Sequence, residues 1–141
     1  MDRQITYREI VFQSADYDQT LLLRHEILRA PWGQSIAEDD LSGEVDDFIY
    51  GAFDGPKLVG MATLQNYEAS LMRLRYMAVD PSYCGSGIAT HIAHVLEARA
   101  RENGKKGVFL TARMSVVPFY EKLGYAQDDV VVMGRRLIPD I

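Results

Sequence analysis

The stretch YMAVDPSYCGSGIAT, residues 76–90, decides the fold, because it joins an apolar strand to a long helix through a turn with Pro81 and two glycines. Such a turn directs unpaired backbone N–H groups and a helix N-terminus at one point, which favours an anion. Gly85 and Gly87 keep side chains away, so a diphosphate can lie against the backbone. The stretch predicts a phosphate-binding loop made of Gly85, Ser86, Gly87, Ile88, Ala89 and Thr90.

Two other nucleotide-binding turns fit these residues poorly. A Walker loop ends in Gly-Lys-Ser or Gly-Lys-Thr, and this sequence has no such ending. A dinucleotide fingerprint needs a third glycine, where Thr90 stands, and an acidic residue about 20 residues later, where Lys105 and Lys106 stand. An NAD-dependent enzyme is therefore kept as the third of three possible functions, after an enzyme of another class and a binding module. On the loop alone, a tight turn that binds nothing stays open.

Two segments resemble motifs of the GNAT family of N-acetyltransferases. Residues 79–81 (VDP) followed by 85–89 (GSGIA) resemble motif A, in which Cys84 stands where Arg or Gln is usual. Residues 118–125 (PFYEKLGY) resemble motif B of the same family, and one helix and one strand separate the two motifs, as in the family. The resemblance covers residues 71–125, and within the superfamily the sequence is most similar to small ElaA-like bacterial members.

The resemblance implies acetyl-CoA as the ligand, with its pyrophosphate at the loop 85–90. It also implies further contacts with this co-substrate, from the backbone of the strand before the loop and from the segment before motif B: Met77, Ala78, Val79, Arg113 and Ser115. The side chains of that strand are also interpreted as ordinary core. A solvated arginine at a strand end is an equal interpretation of Arg113.

Tyr120 is the catalytic candidate. Transfer of an acetyl group expels a thiolate, which a nearby phenol can protonate because a phenol pKa of about 10 keeps the proton at neutral pH. The resemblance implies this role for the tyrosine of the Phe-Tyr pair, which here is Tyr120. The alternative is that Val116, Phe119, Tyr120 and Leu123 form a core stripe at helical spacing.

The acceptor side is less sharply defined. An ammonium group cannot attack a thioester, so a base is expected; Glu68 is the first candidate and Tyr76 the second, although Glu68 is equally a solvated turn carboxylate. By the resemblance the first-helix region lines the acceptor site, with Trp32, Arg24 and Glu38 as candidates. Six acidic residues between 38 and 47 predict a cationic amine there, unless they form only a solvated loop.

Hydrophobic periodicity predicts an α/β (α+β) fold, a mixed and mostly antiparallel sheet flanked by helices, in the order β-α-α-β-β-β-α-β-α-β. The predicted strands are 5–12, 47–53, 57–67, 71–79, 107–111 and 130–137. The predicted helices are 15–29, 37–41, 87–102 and 116–123. A single N-acetyltransferase domain over residues 1–141 is the expected organisation.

Composition narrows the class of partner. The net charge of −5 argues against nucleic acid, and no apolar segment reads as a signal peptide or membrane span. One cysteine excludes an internal disulfide and fits a reducing compartment, so a cytoplasmic location is expected. His91 and His94 without further ligands make a weak metal site, so no metal is expected. The sequence allows a homodimer but does not define the oligomeric state.

The sequence therefore predicts an acetyl-CoA-dependent N-acetyltransferase that acts on a primary amine, of a small molecule or peptide, by direct attack. The alternative is an acyl-CoA-binding sensor or interaction module of the same fold that has lost turnover. Cys84 and the undefined base favour the alternative. Tyr120 favours the enzyme, because a protein that only binds has no use for an acid at that position.

Overall fold

The computed structural model describes residues 4–127 and 132–136, which form one seven-stranded sheet in the order β1-β2-β3-β4-β5-β7-β6. The strands are β1 (Ile5–Glu9), β2 (Phe48–Asp54), β3 (Lys57–Asn66), β4 (Leu71–Val79), β5 (Gly107–Thr111), β6 (Ala126–Gln127) and β7 (Val132–Arg136). The helices are α1 (Ala15–Arg24), α2 (Ile88–Glu102) and α3 (Val117–Lys122). The predicted fold class is confirmed.

The sheet is antiparallel except at its centre, where β4 and β5 run parallel. Helix α2 makes this parallel pairing by crossing from the end of β4 to the start of β5. The short strand β6 was not predicted. The predicted last strand, 130–137, contains β7, and its residues 130, 131 and 137 lie outside the described part of the chain.

Two apolar clusters lie on opposite faces of the sheet. On one face, α2 buries a helical stripe of Ile88, Ile92 and Leu96 against strand residues that include Leu74. On the other face, the cluster includes Tyr17 and Leu23 of α1 together with core residues of β2 and β3. Because β4 contributes to both clusters, its two faces have different neighbours.

Helix α1 ends earlier than the predicted 15–29. Its N-terminus is capped by Ser14, whose hydroxyl accepts a hydrogen bond from the Tyr17 N–H. After Arg24 the chain widens into a π-helical turn, His25–Arg29, and then tightens into a 3₁₀ turn, Ala30–Trp32. The predicted helix 37–41 is wrong, since a single 3₁₀ turn, Ile36–Glu38, precedes extended backbone at Asp39.

No helix in the described ranges has the length and apolar content that a bilayer crossing needs. The same residues contain no cluster of three or more histidine, cysteine or carboxylate side chains arranged to hold a metal ion.

Candidate active site

The central feature of the site is the separation of β4 from β5. The two strands pair only at their first three residues, and the last pair is Arg73 opposite Phe109. Beyond that point β5 continues to pair with β7, whereas β4 continues without β5 at its side. The backbone groups of β4 on that edge are therefore left open to a ligand.

A bulge in β4 lies beside this opening. Thr63 of β3 is opposite Arg75 and Met61 is opposite Ala78, so two residues of β4, Tyr76 and Met77, share one position on the partner strand. Tyr76 has a φ of 58°, a left-handed conformation that is unusual for a large side chain. The bulge turns the local backbone away from its regular pairing.

The opening leads into a cleft of about 660 Å³, called here the central cleft. Its walls come from both separated strands, from the turns that follow α1, from the first turn of α2 and from α3. The described residues that line it are Leu28, Arg29, Trp32, Arg73, Leu74, Arg75, Tyr76, Met77, Ala89, Leu110, Thr111, Ala112, Arg113, Ser115, Val116, Phe119 and Tyr120.

The predicted phosphate loop has the geometry that the sequence indicates. Gly85 and Gly87 have φ values of 82° and 80°, and the space where each would carry a Cβ is empty to 4 Å. Helix α2 starts at Ile88 without a side-chain cap from any described residue, so its first N–H groups keep their hydrogen-bonding capacity. The residues present therefore fit a diphosphate held by backbone amides.

Contacts of the residues just before this loop hold it to the β2–β3 turn. Asp80 accepts a hydrogen bond from the Ser82 N–H at 2.9 Å and pairs with Lys57 at 3.3 Å, and these contacts hold the pKa of its carboxyl below the usual value. The Tyr83 hydroxyl donates to Asp54 at 2.5 Å. A loop fixed in this way loses little conformational freedom when it takes up an anion.

Tyr120 lies in α3 at the wall of the central cleft and is 6% exposed. Its ring packs edge-to-face on Phe119 and Tyr125, with centroid distances of 5.0 and 5.7 Å. Burial raises the pKa of the Tyr120 phenol above its ordinary value, so it carries its proton throughout the neutral range. The geometry places a proton donor in the cleft.

Seven of the site candidates that the sequence singles out line the central cleft: Trp32, Tyr76, Met77, Ala89, Arg113, Ser115 and Tyr120. Ala78, Val79 and the rest of the phosphate loop lie next to it along the chain. Ile88 is 2% exposed and packs in the core, and the Ser86 hydroxyl donates to the Tyr83 carbonyl, so any ligand contact of these two residues is through backbone N–H groups.

Three candidates do not lie at the cleft wall. Glu68 is exposed in the β3–β4 turn, where it accepts a hydrogen bond from Ser70. Arg24 is 1% exposed and pairs with Glu44 at 2.8 Å, so its charge is used inside the protein. Glu38 is exposed outside the cleft, beside Asp39.

The acidic segment has a different surrounding from the one predicted. Glu44 is 3% exposed and accepts hydrogen bonds from Arg24 and from the Tyr17 hydroxyl. Asp39 forms two hydrogen bonds with Arg29, at 3.0 and 2.8 Å, which hold the pKa of its carboxyl below the usual value. Among the described residues, no carboxylate lines the central cleft.

The sequence did not identify three arginines at this cleft, Arg29, Arg73 and Arg75, and treated Tyr76 only as a second candidate base. The alternation of Arg73 and Arg75 with buried Met72 and Leu74 was the available signal, since it places both arginines on one face of β4. The bulge at Tyr76 had no comparable signal.

The chain matches the family model described as "Acetyltransferase (GNAT) family" over residues 15–125. An acetyltransferase of Sodalis glossinidius is 32% identical over 138 residues, which cover 92% of this chain and 95% of the relative. The chain therefore belongs to the GNAT family of acetyltransferases, and the predictions of family and of an acetyltransferase enzyme are confirmed.

Solved structures show the same fold at lower identity. An aminoglycoside 6'-N-acetyltransferase complexed with coenzyme A has a TM-score of 0.77 and 21% identity, and the alignment covers 96% of this chain and 99% of that one. Escherichia coli ElaA has a TM-score of 0.76 and 15% identity, with 94% and 99% covered. These likenesses establish a common architecture.

Proposed function

We propose that this protein is a single-domain N-acetyltransferase, spanning residues 1–141, that moves the acetyl group of acetyl-CoA to a primary amine by direct attack. One observation carries the proposal: Ala89 in the first turn of α2 and Tyr120 in α3 line the same cleft, which opens where β4 leaves β5. The coenzyme A bound in one structural relative supports the choice of donor.

The phosphate loop, residues 85–90, would hold the diphosphate through backbone N–H groups and the Thr90 hydroxyl. The open edge of β4 at Met77, Ala78 and Val79 would pair with the amide-containing arm. The carbonyl of the bound thioester supplies the electrophile of the reaction. A β4 N–H beside the bulge would polarise that carbonyl as an oxyanion donor.

Tyr120 would donate its phenolic proton to the sulfur as the thiolate leaves. A proton donor must still hold its proton at the working pH, and burial keeps the Tyr120 pKa high enough for that. Direct attack by the amine then needs no covalent enzyme intermediate.

No carboxylate of the described cleft is placed to act as a base, so we propose that the amine attacks in its neutral form. As the C–N bond forms and the C–S bond breaks, the proton released from the nitrogen goes to water, and water then reprotonates the Tyr120 phenolate. The rate should then rise with pH up to the pKa of the acceptor amine. A plateau at lower pH would indicate a protein base. A cytoplasmic location and a homodimer are parts of this proposal, tested by cell fractionation and by light scattering.

Titration calorimetry with acetyl-CoA, followed by measurement of free thiol in the presence of amines, tests the proposal. The expected result is saturable heat and release of coenzyme A that depends on both the amine and Tyr120. Binding without release across polyamines, amino acids, aminoglycosides and peptide N-termini would favour the acyl-CoA sensor. The absence of any heat would exclude both functions.

A further inference from the structure

The walls of the central cleft carry an excess of positive charge in a protein whose net charge is −5. Four arginines line it, and among the described residues only Arg29 forms an ion pair, with Asp39. No described carboxylate forms an ion pair with Arg73, Arg75 or Arg113. The hydrogen-bonding groups of these arginines are therefore available to a ligand, although Asp39 and Asp47 lie close enough to Arg75 to offset part of its charge.

Arg73 and Arg75 lie on the face of β4 opposite the one packed against α2, because the intervening Leu74 and the preceding Met72 are buried in the α2-side cluster. They precede the bulge, whereas the phosphate loop follows the end of β4. Their position separates these two charges from the amides proposed to hold the coenzyme diphosphate.

Each of the two side chains retains unused hydrogen-bonding capacity. The Arg73 Nε is buried and has no hydrogen-bond partner among the described residues. One Arg75 nitrogen donates to the Tyr76 hydroxyl, and its guanidinium carbon lies 4.5 Å from the centre of the Tyr76 ring, which fixes the arginine beside the bulge. A buried guanidinium nitrogen without an acceptor costs free energy unless a ligand supplies one.

We propose that the acceptor is a small primary amine that also carries an anionic group, a carboxylate or a phosphate, bound by Arg73 and Arg75. This inference rests on the proposed function and names its substrate class. Arginine suits such a group because its planar guanidinium matches the two oxygens of a carboxylate or phosphate. A polycationic amine would instead meet unpaired positive charge of its own sign.

The test compares matched amines that differ only in the anionic group: glutamate with glutamine, β-alanine with β-alaninamide, and phosphoethanolamine with ethanolamine. Putrescine is the dication of the panel. The wild-type protein is expected to prefer an anionic member by about tenfold or more in kcat/KM, because an amine without the anionic group leaves Arg73 and Arg75 without a partner. The first two pairs and the third distinguish carboxylate from phosphate.

Three variants assign the preference to the two arginines. Arg73→Gln and Arg75→Gln should each reduce it, mainly through a higher KM for the anionic amine, with unchanged affinity for acetyl-CoA. Arg75→Lys should retain part of the preference because the charge remains. Arg99→Gln is the matched control, since Arg99 is exposed on α2, outside the cleft, with its guanidinium 4.8 Å from the Phe48 ring; it should retain the full preference.

Acetyl-CoA binding measured in the same samples separates the two levels of the inference. If the protein binds acetyl-CoA, three results overturn the substrate class alone. They are equal use of both members of every pair, a preference for putrescine, and no transfer to any anionic amine. Absence of acetyl-CoA binding overturns the proposed function and the substrate class with it. An anionic preference that survives both glutamine substitutions overturns the role of the two arginines.

Discussion

The guanidinium carbon of Arg113 lies 3.6 Å from the centre of the Trp32 ring, so the segment after β5 contacts the turn after α1. Both residues line the central cleft, and Trp32 is 51% exposed. A large exposed aromatic ring is unfavourable in water, and the arginine covers one of its faces. The contact joins two segments that are separated along the chain by strands β2 to β5.

A double-mutant cycle measures this contact. Trp32→Ala and Arg113→Ala are each expected to lower the free energy of unfolding slightly, with a coupling of about 0.5–1 kcal/mol between them, as is usual for an exposed cation–π pair. Chemical denaturation of the four proteins gives the value. Strictly additive effects would mean that the two side chains do not interact in solution.

Gly87→Ala is expected to cost about 1 kcal/mol of stability, because the residue has a φ of 80°, and to weaken acetyl-CoA binding about tenfold or more. The methyl group would extend into the open space where the diphosphate is proposed to lie. Calorimetry gives the affinity and thermal unfolding gives the stability.

Gly104→Ala is the matched control for that substitution. Gly104 follows the other end of α2 with a φ of 73°, and it too has no atom within 4 Å of a built Cβ. It should show a similar loss of stability with unchanged acetyl-CoA affinity. An equal loss of affinity in both variants would show that the loop acts only through stability.

Tyr120→Phe is expected to lower kcat about 10²-fold, a common contribution of one proton donor, with little change in acetyl-CoA affinity. Tyr125→Phe is the control, because the Tyr125 ring packs on Tyr120 but is not part of the cleft wall. Steady-state rates of thiol release compare the two. If both variants retain the wild-type kcat, another group protonates the sulfur.

The path from β4 through the loop to α2 could be predicted from the sequence because its determinants are local. The helix predicted at 87–102 is observed at Ile88–Glu102, and the strand predicted at 107–111 is β5. Glycine spacing, helical periodicity and a buried apolar run each act over a few residues, so neighbouring residues suffice to identify them.

The acceptor side could not be predicted in the same way, since its properties depend on long-range pairing. Whether Arg24 binds substrate depends on Glu44, 20 residues away in sequence, which forms a buried ion pair with it. In the acidic segment, Asp39 likewise forms an ion pair with Arg29, so its charge is not available to a substrate. Charges counted along the sequence predict a cationic substrate, whereas in the described part of the structure Arg73, Arg75 and Arg113 line the cleft without forming an ion pair.

Arg24→Met is expected to lower the free energy of unfolding by about 3 kcal/mol or more, because it leaves Glu44, which is 3% exposed, without its cation. The double variant Arg24→Met with Glu44→Leu should recover much of that loss, since no isolated charge stays buried. Denaturant unfolding of the two variants measures both effects. A double variant as unstable as Arg24→Met would mean that packing around Arg24, rather than charge, dominates.

Asp47→Asn is expected to change the pH dependence of stability. Burial, with Glu44 as the next contributor, raises the pKa of the Asp47 carboxyl to about 6, and its Oδ2 has no hydrogen-bond partner among the described residues. An unfolded chain has an aspartate pKa of about 3.9. Below that value the carboxyl is protonated in both states, whereas above about pH 6 the folded protein holds an unfavourable charge.

The penalty from Asp47 therefore grows as pH rises from about 4 to about 6. Relative to wild type, the asparagine variant should gain about 1 kcal/mol of stability between pH 4 and pH 7.5, a value reduced for the partial exposure of this residue. Denaturant unfolding at both pH values measures the change, with exposed Glu9→Gln as the control. A difference from wild type that is the same at both pH values would show that the Asp47 carboxyl titrates alike in the folded and unfolded chains.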